Sequence, residues 1–516
     1  MTSKPKKYEF VGLSSRSRSG CLNCKKKKKK CDEVKPRCGL CTASKALECV
    51  WGDRKSKGHG MDGSTRKVKS SSNQPLVVLR TPNSSTFESE SPTTPLTPYK
   101  NFTDASHLSA EKSLAVTSRG CTINVCTEKE KTYLEKYLKV AETMSIIGTE
   151  GNCYLTIFFP LAKESECVLK ALLLWGGMSM GGSNEIICRK VDLNVAISLI
   201  DRLTDSIHNS KFDNNRVRLS HCLAATLILL DAEVQSGDIK NWKLLYEKAF
   251  QILKSMGLYD DILDPIKVQA ISPVERWLCI NFLHHDILTS QVNVTGTAVP
   301  SSVGLQFKGC DTLEGCLKPC FSLLNEAINL RIEAKKSYKL LETPGKIQNH
   351  RTTQELNQLE AKISDLENKL IQTSPRPEDL LEIPKKYMEL HLSLYELFQF
   401  SIQIYLRLAI RRYSPNVPEI QVFLYKNINL LIFLISSNVK SAMKFPFLIA
   451  GISCIHECDK VKIMNLLNEY ERNLDHKNIG LIKKLIQEVW RLDPNGDLCL
   501  DWQDIASGFG WDLCLS

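Results

Sequence analysis

The chain has 516 residues, 43% of them hydrophobic and 24% charged, and a net charge of +11. That is enough apolar content for a large core, and no apolar run reaches the roughly 18–20 residues that span a bilayer; Leu430–Ile435 and Phe447–Ile455 come nearest, so a soluble chain is expected. Residues 1–70 carry 20 Lys and Arg against 6 Asp and Glu, a net of +14, which leaves −3 for the rest of the chain. A basic arm on a near-neutral body is the electrostatic footprint of a nucleic-acid binder.

Residues 1–19 read as a basic, disordered N-terminus. Residues 20–51 hold six cysteines, Cys21-x2-Cys24-x6-Cys31-x6-Cys38-x2-Cys41-x7-Cys49, with an unbroken run Lys25–Lys30 between the second and third. The segment has almost no apolar residues, so its order must come from cross-links or metal, and thiolates at x2 spacing can hold one ion together. A disulfide framework would need an oxidising compartment, and no signal peptide precedes the cysteines.

This pattern resembles the fungal binuclear zinc-cluster transcription factors of the galactose-regulator type, with Gly20, Asp32 and the loop proline Pro36 in matching places. The resemblance implies a small two-helix unit stapled by two structural zinc ions. Cys21, Cys24, Cys31 and Cys38 would hold one ion, and Cys38, Cys41, Cys49 and Cys21 the other, with Cys21 and Cys38 bridging. It also implies a CGG triplet read in the major groove of double-stranded DNA. Lys27 and Lys28 fall where the family's helix end meets the base edges. Lys28 is the better direct contact, because lysine can donate to guanine O6 and N7. Lys25, Lys26 and Lys30, with Lys35, Arg37 and Lys45, are expected at phosphates or as solvated charge. Lys29 departs mildly from the family pattern, in which that place is usually apolar. The clusters Lys4–Lys7, Arg54–Lys57 and Arg66–Lys69 fit nuclear import.

Residues 52–126 are rich in Ser, Thr, Pro and Lys and poor in large apolar residues, which reads as a disordered linker. No heptads follow the cysteines, so no coiled coil is expected there to set the spacing of half-sites. Thr81, Ser91, Thr94 and Thr97 precede prolines and are candidate phosphorylation sites.

Residues 127–516 read as a large all-α domain. Trp242, Leu245, Tyr246, Ala249, Phe250, Leu253 and Met256 recur at helical spacing, with Gly257 as a stop signal. Cys222–Asp231, Arg276–Thr289, Leu390–Ile410 and Leu481–Trp490 behave alike, and a sheet is not expected. The 14 cysteines outside the finger are scattered and read as small core residues. Leu223–Leu230 followed by Gly237-Asp238 and Trp242 is similar to the second type of fungal-specific transcription-factor domain. So are Glu275-Arg276-Trp277 leading to Asp286-Ile287-Leu288, Phe445–Gly451, Glu488-Val489-Trp490 and Asp501-Trp502. This resemblance implies a helical regulatory domain like those of yeast regulators of sterol, arginine and lysine genes, with the Trp502–Trp511 stretch leaning to the lysine type.

Leu356, Leu359, Ile363, Leu366 and Leu370 form a short a/d seam, expected in an intramolecular helical hairpin, with a homodimer contact as the alternative. The acidic-hydrophobic end, residues 497–516, either packs through Trp502 and Trp511 or serves coactivators; packing is favoured. His284-His285-Asp286 and Cys310, Cys316 and Cys320 are the only hints of a catalytic or second metal site. Adjacent histidines point about 100° apart on a helix and make a poor metal pair, so both sets are read as structural and no enzyme is expected. The expectation is a nuclear regulator of RNA polymerase II genes, more plausibly an activator than a repressor. A zinc-stapled RNA binder is the weaker alternative, since Trp51 is the finger's only nearby aromatic.

Overall fold

A computed structural model describes residues 21–26, 31, 35, 37, 38 and 41, and residues 114–515 except 209–214, 238–240, 292–294, 342–349, 475 and 512–513. The chain divides into two units, Met1–Asp104 and Ala105–Ser516. In the first, the described helix is α1, Leu22–Lys26.

The second unit opens with a finding that composition concealed. Residues that read as the end of the linker form an antiparallel hairpin, β1 Leu114–Ser118 and β2 Cys121–Val125, in register from Leu114↔Val125 to Ser118↔Cys121. Arg119 and Gly120 make the two-residue turn with φ of +50° and +77°, the left-handed pair that matches the twist of a tight hairpin. Val116, Ile123 and Val125 are buried on one face, the period-two pattern of a half-buried ribbon. Three well-placed apolar residues suffice here because the ribbon lies against α2, Glu128–Met144. Thr127 and Glu130 start α2 with a reciprocal capping box, which satisfies N–H groups that the first turn leaves unpaired.

Among the described residues after the hairpin, the regular structure is helical. The first core is built on α3 Glu166–Met178, α4 Leu193–His208, α5 Asn215–Gln235, α6 Asn241–Ser255 and α7 Pro273–Thr289. From Leu219 to Gln235 all but His221 are buried in α5, the mark of a helix surrounded by others; α3, α4, α6 and α7 all pack on it. Gly176 permits the close crossing of α2 and α3, since a Cβ there would lie 1.9 Å from the Tyr133 carbonyl oxygen. Helix α6 covers the predicted Trp242–Met256 stretch up to Ser255, and Gly257 follows Met256 in the left-handed conformation, φ +71°.

The second core gathers α8 Lys318–Leu341, α9 His350–Gln372, α10 Met388–Tyr405, α11 Pro418–Leu434, α12 Lys444–Ile452, α13 Glu457–Leu474, α14 Asn478–Leu492 and α15 Trp502–Gly508. The leucine seam of α9 closes inside the chain: Leu359, Ile363, Leu366 and Leu370 are buried against α8 and α10. Lys362–Glu333 at 2.6 Å and Lys369–Glu326 at 3.0 Å tie α9 to α8, while Arg411 binds Glu367 through two nitrogens, both at 2.8–2.9 Å. The Phe445–Gly451 motif is α12, whose nine residues are all buried. Its Gly451 admits Ile486 of α14, whose Cδ1 would stand 2.3 Å from a Cβ, and its carbonyl accepts a hydrogen bond from Trp490 Nε1 at 2.8 Å.

The closing residues pack on the body. Trp502 is buried, Lys335 of α8 pairs with Asp501 and Asp504 at 2.7 Å, and Gln503 Nε2 donates to the Gln291 carbonyl at 2.5 Å. Cys514 joins the first core and Leu515 the second. No described helix is long and apolar enough to cross a membrane.

Candidate metal centre and nucleic-acid interface

Cys21 stands directly before α1 and Cys24 within it, so the x2 spacing brings both side chains to one side of a single turn. Cys31 and Cys38 return to the same point. The ligand atoms of Cys21, Cys24, Cys31 and Cys38 all lie within 4.8 Å of one another, and all four residues are buried. Cys21 Sγ is 3.7 Å from Cys38 Sγ, and Cys24 Sγ is 3.6 Å from Cys38 Sγ. Zinc–sulfur bonds of about 2.3 Å in a tetrahedron require sulfur–sulfur edges of about 3.8 Å. The Cys21–Cys38 and Cys24–Cys38 separations match the edges of such a tetrahedron.

Two backbone N–H groups point at this sulfur cage. Cys24 N donates to Cys21 Sγ and Cys21 N to Cys31 Sγ, both at 3.4 Å; such outer donors orient metal-bound thiolates. Burial, and then hydrogen bonds with Cys21, Cys38 and Cys31, hold the Cys24 thiol well above the ordinary thiol range. Sulfurs crowded this way favour the thiolate only beside a cation, and zinc would supply that charge. Cys21 Sγ also lies 3.7 Å from Cys41 Sγ, outside the first group of four. Cys21 Sγ is thus 3.7 Å from one sulfur inside that group and from one outside it. Cys49 falls outside the described residues.

Of the lysines expected at DNA from the sequence, Lys25 and Lys26 belong to α1, and Lys26 is exposed. Lys27, Lys28 and Lys30 lie outside the described residues. Lys35 and Arg37 are exposed, and Arg37 Nη2 donates to the Cys41 carbonyl at 3.4 Å, so the basic groups ride on the loop that the cysteines fix.

The other candidate sites are occupied by packing. His285 Nε2 lies 3.0 Å from Asp231 Oδ1, and Tyr154 Oη donates to Asp231 Oδ2 at 3.1 Å. His284 faces Glu314 at 3.8 Å and stacks on Phe321. Asp286 accepts from Tyr246 Oη at 2.6 Å and from the Ala298 and Val299 N–H groups at 2.8 and 3.0 Å. Burial, opposed by these bonds, pushes its carboxyl up to about 6. Cys310, Cys316 and Cys320 donate to three separate carbonyls, those of Asp379, His391 and Tyr395. Among the described residues, the finger's sulfurs are the one set of three or more potential ligands that converges.

Residues 132–516 match the fungal-specific transcription factor domain, and residues 19–59 match the fungal Zn(2)-Cys(6) binuclear cluster domain. The chain belongs to the fungal zinc-cluster transcription factors. A zinc-binding DNA-binding module followed by a helical regulatory domain is the organisation of this family, and both parts are present here in that order. The chain is similar along its length to the uncharacterised transcriptional regulatory protein C965.10 of Schizosaccharomyces pombe, at 26% identity over 96% of each chain. It is similar to the transcriptional activator protein UGA3 of Saccharomyces cerevisiae at 23% identity, over 93% of this chain and 94% of that one. Transcription factor lfc1 of Flammulina velutipes is 52% identical over 42 residues, 8% of this chain and 15% of its own. No solved structure matches the chain. Both family matches and these relatives make it a transcriptional regulator.

Proposed function

We propose that the chain is a nuclear, sequence-specific activator of RNA polymerase II transcription that reads CGG-type half-sites through a finger holding two zinc ions. The observation that carries this reading is the position of Cys21, whose sulfur is 3.7 Å from both Cys38 and Cys41. One ion takes Cys21, Cys24, Cys31 and Cys38, and the second takes Cys38, Cys41, Cys49 and Cys21. Lys28, with Lys27, meets the base edges, and Lys25, Lys26 and Lys30 neutralise phosphates. Activation is the sign favoured by the full-length likeness to a protein described as a transcriptional activator, with coactivators as partners of the helical body. A homodimer contact would need a surface other than the α9 seam, which the fold already uses.

The test is a binding competition between CGG-containing duplex, scrambled duplex and RNA of matched length, with zinc counted per chain. Two zinc ions and preference for the CGG duplex are expected. Lys28→Ala should lose about 1–3 kcal/mol of discrimination at the guanines. Lys26→Ala should weaken all duplexes alike and reduce the salt slope by about 0.9. Equal binding of RNA, or one zinc per chain, would overturn the reading. Reporter repression by the full chain would reverse its sign.

A further inference from the structure

Two cysteines that the DNA-binding reading does not use meet in the first core. Cys167 is the second residue of α3, and Cys222 lies two turns into α5. Both are free thiols, and their side chains are hydrogen-bond partners of each other. Cys167 Sγ also stands 3.7 Å from the carbonyl oxygen of His221, the residue before Cys222, and 3.1 Å from Ser165 Oγ. Two sulfurs make no metal centre, and among the described residues no third ligand converges on them.

The two sulfurs differ in what they are fitted to do. Cys222 is 1% exposed, whereas Cys167 is 5% exposed and has the exposed Glu164 and Glu166 close by in the chain. A small neutral oxidant therefore reaches Cys167 first. Burial raises the thiols of Cys279, Cys320 and Cys454, as it does for inert core cysteines. Cys167 moves the other way: its bond with Cys222 lowers it against burial, and the Ser165 hydroxyl and the Val168 N–H add to the effect. Cys222 is raised by that same bond and then by burial. The start of a 13-residue helix favours the Cys167 anion further. One sulfur is set up to attack, and a protonated one waits in contact with it, the pairing found in redox-active thiols.

We propose that Cys167 and Cys222 are a modification site for hydrogen peroxide, which oxidises Cys167 and leaves the two joined as a disulfide. The Cys167 thiolate attacks one peroxide oxygen; the S–O bond forms, the O–O bond breaks, and the departing hydroxide takes up the proton that Cys167 gave to solvent. The Cys222 sulfur then attacks the sulfenic sulfur of Cys167. The S–S bond forms as the S–O bond breaks, and the second hydroxide leaves as water with the Cys222 proton. Two thiols and one peroxide thus give one disulfide and two waters, the sulfurs losing the two electrons that the peroxide gains. A dithiol reductant reverses the reaction by exchange. The bond ties the start of α3 to α5, the helix on which α3, α4, α6 and α7 pack. It closes the chain through α4 into a loop, which stabilises the body by restricting its unfolded state.

The test uses the full chain with its zinc. The protein is treated with hydrogen peroxide, denatured and alkylated, and its peptides are mapped by mass spectrometry with and without reduction. A cross-linked pair of peptides carrying Cys167 and Cys222 should appear while Cys279, Cys320 and Cys454 are modified about tenfold less or below. The oxidised chain should melt at a higher temperature, and dithiothreitol should restore the original value. In Cys222→Ala the sulfenic acid has no partner, so Cys167 should be labelled by dimedone; in Cys167→Ala, Cys222 should stay reduced. The proposal fails if the cross-linked pair does not form, or if Cys279, Cys320 and Cys454 are oxidised as readily. It also fails if Cys222→Ala protein takes no dimedone at Cys167, or if Cys222 is oxidised as fast without Cys167. The peptide map of the unsubstituted chain decides by itself, so a substitution that disturbs the core leaves the test intact. DNA binding is not part of the readout, and loss of the CGG preference leaves this result standing.

Discussion

His391 is fully buried beneath Gly315, whose added Cβ would lie 3.1 Å from its ring. Burial lowers its pKa to about 4. The imidazole is therefore neutral in the folded chain at pH values where the unfolded chain, titrating near 6.5, takes up a proton. Stability is complete above about pH 6.5 and falls as the pH drops toward about 4, because the unfolded state binds more protons in that window. Between about pH 7 and about pH 5 the loss should be on the order of 2 kcal/mol from this residue. His476, held neutral by burial and then by Lys444, adds in the same direction. Urea unfolding at the two pH values checks this, and His391→Leu should shrink the difference by His391's share; an unchanged difference would mean that the ring is already charged in the fold. At this scale the sequence was eloquent about sulfur and silent about the buried polar contacts of the body. Six cysteines in 29 residues declare their ligand through spacing alone, whereas Tyr154, Asp231 and His285 are brought together only by tertiary packing.

Helix crossings depend on two glycines of unequal tolerance. A Cβ at Gly176 meets a backbone oxygen that cannot turn aside, while at Gly451 it meets the tip of Ile486, a side chain. Overpacking typically costs about 1–3 kcal/mol; Gly176→Ala should fall at or above the top of that range and Gly451→Ala within it, as denaturant midpoints would show. The α9 seam gives a second contrast. Ile363 is 1% exposed in the second core, so Ile363→Asp should destabilise the fold by about 3 kcal/mol or more. A folded protein that merely changed its oligomeric state in light scattering would restore the dimer reading. The long helices were readable because their apolar residues recur at 3.6-residue spacing over four or more turns. The hairpin at 114–125 escaped because each strand has five residues, and its Ser, Thr and Asn resemble the linker before it. Its Val116, Ile123 and Val125 alternation around Arg119-Gly120 was the available signal.

On the scale of the whole molecule, metal and core stabilise different parts. The described finger has no core beyond its cysteines, whereas the body encloses two extensive apolar clusters. Stripping zinc with a chelator should abolish DNA binding in a mobility-shift assay and leave the far-UV circular dichroism melt of the body nearly unchanged; a melt that collapsed with the metal would show the body leaning on the finger. The acidic residues near the end that suggested a coactivator segment are partly committed, with Asp501 and Asp504 on Lys335 and Trp502 in the core. Fusing residues 490–516 to an unrelated DNA-binding domain should accordingly leave a reporter silent. The burial of Cys514 and Leu515, one in each core, carries a genetic consequence. A stop codon just ahead of Cys514 removes an anchor from both halves at once, so such an allele should behave as a loss of the protein, and a screen that dismisses late truncations as harmless would misfile it.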